Sequence, residues 1–182
     1  MALMAVVTVG IGDCKVSKDC SDVLVTHALG SCIAVVLYDP LARVAGLLHY
    51  MLPESSLDSG KAEKQPCVFA DTGIPLLLQQ ARQLGATNSR LVVMAAGGAQ
   101  MLDPNGTFNI GHRNHLAMRK ILWKCGCIVH REEIGGTSSR TVKIAVETGR
   151  VRLSTSGEPE QEITLPSRRN GVGDGLQHTY RR

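Results

Sequence analysis

Apolar positions along the chain fall into two rhythms. Runs rich in Val, Ile and Leu occupy residues 5–9, 23–26, 32–38, 44–52 and 91–96, and again 127–134, 141–147 and 151–155. Their length and β-branched content predict strands. Several are apolar on consecutive rather than alternate positions, so the sheet they build needs cover on both faces. A helical rhythm supplies that cover twice. Ile74, Leu77, Leu78, Ala81 and Leu84 make one stripe, with Asp71 as the expected N-cap, Pro75 tolerated in the first turn and Gly85 as the stop. A second helix is expected from near Asn114 to Cys125, with Ala117, Ile121, Leu122 and Cys125 inward and Gly126 as terminator. The sum is an α/β (α+β) layered sandwich, mixed sheets of about eight strands flanked by two main helices.

Two stretches lack either rhythm. Residues 53–66 hold Ser55, Ser56, Ser59 and Gly60 among charged neighbours and read as a surface loop directly after a strand. After residue 156 the chain is poor in apolar residues and gathers Gly171, Gly173 and Gly175, which predicts a disordered tail over 157–182 behind a single domain of 1–156. A chain of 182 residues can bury an adequate core without staples.

Composition narrows the function by exclusion. The formal charge is +4, and the arginines of 158–182 (Arg168, Arg169, Arg181, Arg182) are matched there by Glu158, Glu160, Glu162 and Asp174. The excess is therefore diffuse over 1–157, unsuited to tracking a phosphate backbone but suited to a mildly acidic protein partner. One Trp, three Tyr and two Phe offer little for stacking bases, so no nucleic acid is expected. The apolar start carries no base before Lys15 and thus lacks the charged region of a signal peptide, and no run reaches the ~18 residues of a membrane helix. A cytoplasmic protein with six free thiols and no membrane insertion is the expectation.

One of those thiols has a partner in the pattern. If residues 32–38 and 44–52 form a hairpin turning at Asp39-Pro40-Leu41-Ala42, the pairing that sets Asp39 opposite Ala42 also sets Cys32 opposite His49. Directly opposed Cβ atoms lie about 4.5–5.5 Å apart, within reach of a thiol–imidazole hydrogen bond, whereas a slip of one residue would bring Leu48 or Tyr50 opposite instead. A free cysteine is only about 3% thiolate at pH 7, so nucleophilic chemistry needs such a base. Thr26 is placed to orient the imidazole. Gly30 permits a tight approach before Cys32, turning the amides of Ser31 and Cys32 toward an oxyanion. On spacing alone, packing roles for Cys32 and His49 are the commoner outcome. Arg113 and Asn114 could line a cleft, Asn114 equally serving as a helix cap. Metal binding by Cys125, Cys127 and His130, or by His112 and His115, is disfavoured because Cys-x-Cys is not the usual knuckle, so no metal or cofactor is expected. Gly97-Gly98 lacks the dinucleotide spacing and reads as a close-packed turn.

The residues also carry a family resemblance. Thr26-His27-Ala28-Leu29-Gly30-Ser31-Cys32 and Gly46-Leu47-Leu48-His49-Tyr50-Met51-Leu52-Pro53 resemble the paired signature of the CheD chemoreceptor glutamine deamidases. The similarity continues through Ala70-Asp71-Thr72-Gly73-Ile74, Gly97-Gly98-Ala99-Gln100-Met101, Phe108-Asn109-Ile110-Gly111-His112-Arg113-Asn114 and Gly135-Gly136-Thr137-Ser138-Ser139-Arg140, in order over about residues 5–155. The resemblance implies a cysteine amidohydrolase with Cys32 as nucleophile, His49 as base and Thr26 orienting it. Its implied substrates are glutamines of methyl-accepting chemotaxis receptors, with a CheC-type CheY phosphatase as a further or alternative partner. The implied fold is the layered sandwich shared with the catalytic domain of the cytotoxic necrotising factor toxins.

Overall fold

The chain threads two β-sheets stacked face to face, with helices on the far side of the second. The computed structural model describes residues 4–100 and 108–165, and the backbone of 177–181. In order, the elements are β1 (Ala5–Thr8), β2 (Asp13–Ser17), β3 (Asp22–Leu29), β4 (Ile33–Asp39), β5 (Val44–Tyr50), α1 (Ser59–Lys64), α2 (Ala70–Gln83), β6 (Val92–Gly97), α3 (Ile110–Lys124), β7 (Val129–Gly135), β8 (Arg140–Ala145), β9 (Val151–Thr155), β10 (Gln161–Ile163) and β11 (Gln177–Arg181). The first sheet has the order β1-β3-β8-β9-β10 and the second β11-β7-β6-β4-β5-β2. Both are mixed: β1 runs parallel to β3, and β6 and β11 run parallel to β7, while the other pairings are antiparallel.

The consecutive apolar runs have the cover they required. Every residue of β4, β5 and β6 is buried. Alternate side chains of these strands divide between two cores. Ala34, Val36, Leu47, Met94 and Ala96 meet Leu24, Val142 and Ile144 of the first sheet. Ile33, Val35, Leu37, Leu48 and Tyr50 pack under Ile74, Leu77, Leu78 and Ala81 of α2 and Met118 and Leu122 of α3. The layered α+β sandwich expected from the pattern is thus the observed one.

The differences are local and have causes. β2 escapes the apolar search because it is an edge strand against β5 whose alternation is mostly polar, with Cys14 alone fully buried. Segment 53–66 is not plain loop: it contains α1, capped by the Asp58 carboxylate on the Lys61 amide. Asp71 does not cap α2, which begins at Ala70 after Phe69; its carboxylate instead accepts from the Ser55 amide and hydroxyl and ties the preceding loop down. Beyond residue 156, Gly157 turns the chain so that β10 pairs with β9 and buries Ile163, and β11 adds to the edge of the second sheet beside β7. Among the described residues no helix is long and apolar enough to cross a membrane.

Candidate active site

Within the inter-sheet core, Thr26 of β3 and His49 of β5 face each other across the gap between sheets. Both are essentially without solvent exposure. The Thr26 Oγ1 lies 2.7 Å from the Val9 carbonyl oxygen and 2.7 Å from His49 Nδ1. A hydroxyl has one proton, and a carbonyl can only accept, so Thr26 donates to Val9 and must accept from the imidazole. That fixes the proton on Nδ1 and leaves the lone pair on Nε2. Nε2 is buried and has no hydrogen-bond partner among the described residues. Burial holds the His49 pKa down at about 4, against an ordinary 6.5. At neutral pH the ring is therefore an uncharged acceptor.

Cys32 stands one residue before β4, half-buried, and packs against the same inter-sheet cluster. The hairpin register differs from the sequence expectation by two residues. Asp39 pairs with Val44, so residues 40–43 form the tip, and His49 faces Ala34 rather than Cys32. The cause is Asp39, whose carboxylate accepts from the amides of Leu41 and Ala42 and lengthens the turn, with Arg43 in the left-handed region at φ 50°. A shift of two preserves the face. Cys32 is one alternation along from Ala34 and so lies on the face that His49 shares, as a diagonal rather than a direct neighbour. Burial raises the Cys32 thiol pKa, and the residue's own backbone N–H against the sulfur partly offsets this. Thiol and imidazole thus rest uncharged, an arrangement in which the ring can take the thiol proton at Nε2 as a reacting carbon approaches the sulfur.

The loop before β4 is held from beneath. The carbonyls of Gly30 and Cys32 accept from the amides of Ala99 (2.8 Å) and Gly98 (2.9 Å). Gly97, at φ +116°, comes so close that a Cβ there would collide with the Cys32 carbonyl oxygen. The close-packed turn expected of Gly97-Gly98 is therefore the seat of the cysteine, a function that no local spacing signals. Ser31 is held from the helix side. Asn114 is fully buried, and its Nδ2 donates to the carbonyls of Ser31 (3.0 Å) and Met51 (2.9 Å).

Asn114 is thus neither helix cap nor part of an open cleft: α3 begins four residues earlier, at Ile110 after Asn109. Arg113 beside it is exposed on the outer side of the helix. The Nδ1 of His130 accepts from the Val93 amide, and His115 bonds Glu132. No group of three or more His, Cys, Asp and Glu is placed to hold a metal among the described residues. Missed by sequence reasoning were the Val9 carbonyl, which sets the tautomer, and Tyr50, whose hydroxyl donates to the Asn114 carbonyl at 2.7 Å.

A half-buried thiol on the same sheet face as a threonine-held neutral imidazole, in an α+β sandwich, makes these residues a candidate site for attack on a carbonyl. Residues 51–155 match the family model described as CheD chemotactic sensory transduction. The chain belongs to the CheD family, and the order of its sequence blocks agrees. A probable chemoreceptor glutamine deamidase CheD of Solibacter usitatus is 48% identical over 160 residues, spanning 88% of this chain and 95% of that one. A second such protein, from Syntrophus aciditrophicus, is 48% identical over 160 residues, 88% of this chain and all of its own. The chemoreceptor glutamine deamidase CheD of Thermotoga maritima is 40% identical over 153 residues, 84% of this chain and 94% of that one.

Proposed function

We propose that this chain is a chemoreceptor glutamine deamidase, a protein-glutamine glutaminase that converts receptor glutamines to glutamates with Cys32 as nucleophile and His49 as base. The observation that carries the reading is the Thr26–His49 hydrogen bond. It leaves a buried, partnerless Nε2 on the face that Cys32 shares. Membership of a family whose relatives bear the deamidase name supports the same conclusion.

The steps follow from these groups. As the Cys32 sulfur bonds to the glutamine side-chain carbonyl carbon, the thiol proton passes to His49 Nε2, and the imidazolium is stabilised through Nδ1–H on Thr26. The oxyanion is met by backbone N–H groups at Ser31 and Cys32, in the loop opened by Gly30. When the tetrahedral adduct collapses, the carbon–nitrogen bond breaks, and the Nε2 proton leaves with the nitrogen as ammonia. Water then attacks the γ-glutamyl thioester, giving one proton to Nε2 that returns to sulfur as the carbon–sulfur bond breaks. A glutamyl methyl ester offers the same carbonyl with a better leaving group, so weak methylesterase activity belongs to the same site.

The test is to incubate receptor cytoplasmic fragments with the protein and map glutamine-to-glutamate mass changes by peptide. The expected result is conversion at a few defined glutamines by the wild type and none by Cys32→Ala. Conversion that survives Cys32→Ala removes the nucleophile from the proposal, and absence of conversion by the wild type removes the reaction.

A further inference from the structure

The Cys32 and His49 strands part company at the site. The β4–β5 ladder ends at the Ile33–Tyr50 pair, and beyond it the two strand ends are no longer joined to each other. Among the described residues, one side chain from a third element bonds to both ends. The Asn114 amide of α3 donates to Ser31, immediately before Cys32, and to Met51, two residues after His49. Both partners are carbonyls and can only accept, so the orientation of the amide is determined: its NH₂ faces them, and its Oδ1 has no partner among the described residues. Asn114 is in turn fixed from both ends. The Tyr50 hydroxyl donates to its backbone carbonyl, and Gly111, one turn earlier, lies so tightly against Gly98 that a Cβ would collide with the Gly98 oxygen.

Ordering both strand ends through one buried amide has a chemical consequence at the peptide between Ser31 and Cys32. In a trans peptide the C=O and the following N–H point in opposite directions. Holding the Ser31 carbonyl on Asn114 therefore sends the Cys32 N–H the other way. That N–H belongs to the same residue as the sulfur, and it lowers the thiol pKa against the burial that raises it. The oxygen of a carbonyl attacked by this sulfur develops its charge one bond from the newly formed carbon–sulfur link, within the reach of the same N–H.

We infer that Asn114 is a positioning residue: by holding the Ser31 carbonyl it aims the Cys32 N–H at the side of the sulfur where the oxyanion forms. Its amide hydrogens are taken up by the Ser31 and Met51 carbonyls, and the inference rests on the deamidase reading for its catalytic half only. The geometric half concerns the thiol itself, because an N–H withdrawn from the sulfur no longer offsets the burial of the thiolate.

The test uses the full chain with Asn114→Ala, which removes both donor hydrogens without bringing a charge near the thiol. Asn114→Leu, closer in volume, serves if the cavity prevents folding. Two quantities are read. The first is the pH profile of Cys32 alkylation by iodoacetamide, with peptide mapping to separate Cys32 from the other five thiols. The second is kcat and KM for receptor-fragment deamidation. The expected results are an alkylation profile displaced to higher pH and a kcat lowered about 10²-fold at unchanged KM, the size of a lost oxyanion donor. An unmoved alkylation profile overturns the inference, even if kcat falls, because a merely structural role would lower activity without touching the thiol. A displaced profile in a wild-type background that deamidates nothing retains the positioning role of Asn114 and refutes the deamidase reading alone.

Discussion

Replacing Thr26 by Val is the sharpest perturbation of the arrangement because it removes one oxygen atom and almost no volume. In the folded protein that oxygen serves two buried groups, donating to the Val9 carbonyl and accepting from His49 Nδ1–H, each at 2.7 Å. Both lose their only described partner at this position, and neither is open to water, since Val9 and Thr26 are fully buried and His49 is 1% exposed. A buried group left without its bond costs about 1–3 kcal/mol, and the extra methyl returns part of that, so Thr26→Val should lower unfolding free energy by ~2–4 kcal/mol. Activity should fall further than stability implies. With no acceptor at Nδ1 the ring loses its reason to keep the proton there, and the tautomer protonated at Nε2, which cannot act as a base toward Cys32, gains population. General base catalysis is worth about 10²–10⁴ in rate, which sets kcat down by about 10²-fold or more in the folded variant. The assay pairs urea unfolding with ammonia release from a receptor fragment. Thr26→Ser, which keeps the oxygen, should recover most of the rate. A Val variant with wild-type kcat, or a Ser variant as slow as Val, refutes the tautomer argument.

Further outcomes follow from the same geometry. Unfolding His49 raises its pKa from about 4 to the ordinary 6.5, so the unfolded chain binds more protons between those values. About 3 kcal/mol of stability present above pH 6.5 should drain away as pH falls to 4, and His49→Phe should flatten that part of a urea-unfolding pH series. Gly97→Ala should cut deamidation well before it unfolds the protein, because the added methyl pushes on the Cys32 carbonyl at a φ that side chains avoid; kcat and melting temperature measured together check this. Asp39→Ala offers the contrast. It removes the acceptor for the Leu41, Ala42 and Thr87 amides and the partner of half-exposed Arg90, so stability should drop by about 3–5 kcal/mol with kcat of the folded fraction unchanged.

How much of this the sequence carries is best judged at particular residues. Burial pattern is legible: the consecutive apolar positions of β4 and β5 announce cover on both faces, and two cores provide it. Face is legible too, because a period of two survives a register error of two, and Cys32 and His49 share the face that the pattern predicts for both. The register itself is not, since it depends on how many residues Asp39 draws into the turn, a choice between nearly equal local hydrogen-bond patterns. Thr26 could be read as the imidazole's partner, but the Val9 carbonyl that decides the tautomer is a backbone atom with no sequence signature. Asn114 shows the same limit in a side chain. Its sequence neighbourhood suggests a cap, and only the packing of α3 beneath the strand ends makes it a tie between Ser31 and Met51. Of the tail expected over 157–182, residues 157–165 and the backbone of 177–181 are described, and there Ile163, one apolar residue after a glycine turn, docks a short strand; the remainder of that expectation falls on residues outside the described ones.

The proposal that receptor glutamines are deamidated through a bond to Cys32 is tested most directly by acid-quenching the reaction with a receptor fragment and weighing the Cys32 peptide. The expected result is a γ-glutamyl thioester on Cys32 that forms with the wild type, decays as glutamate appears, and is absent with Cys32→Ala. Glutamate that accumulates with no adduct on Cys32, or an adduct on another residue, would contradict it.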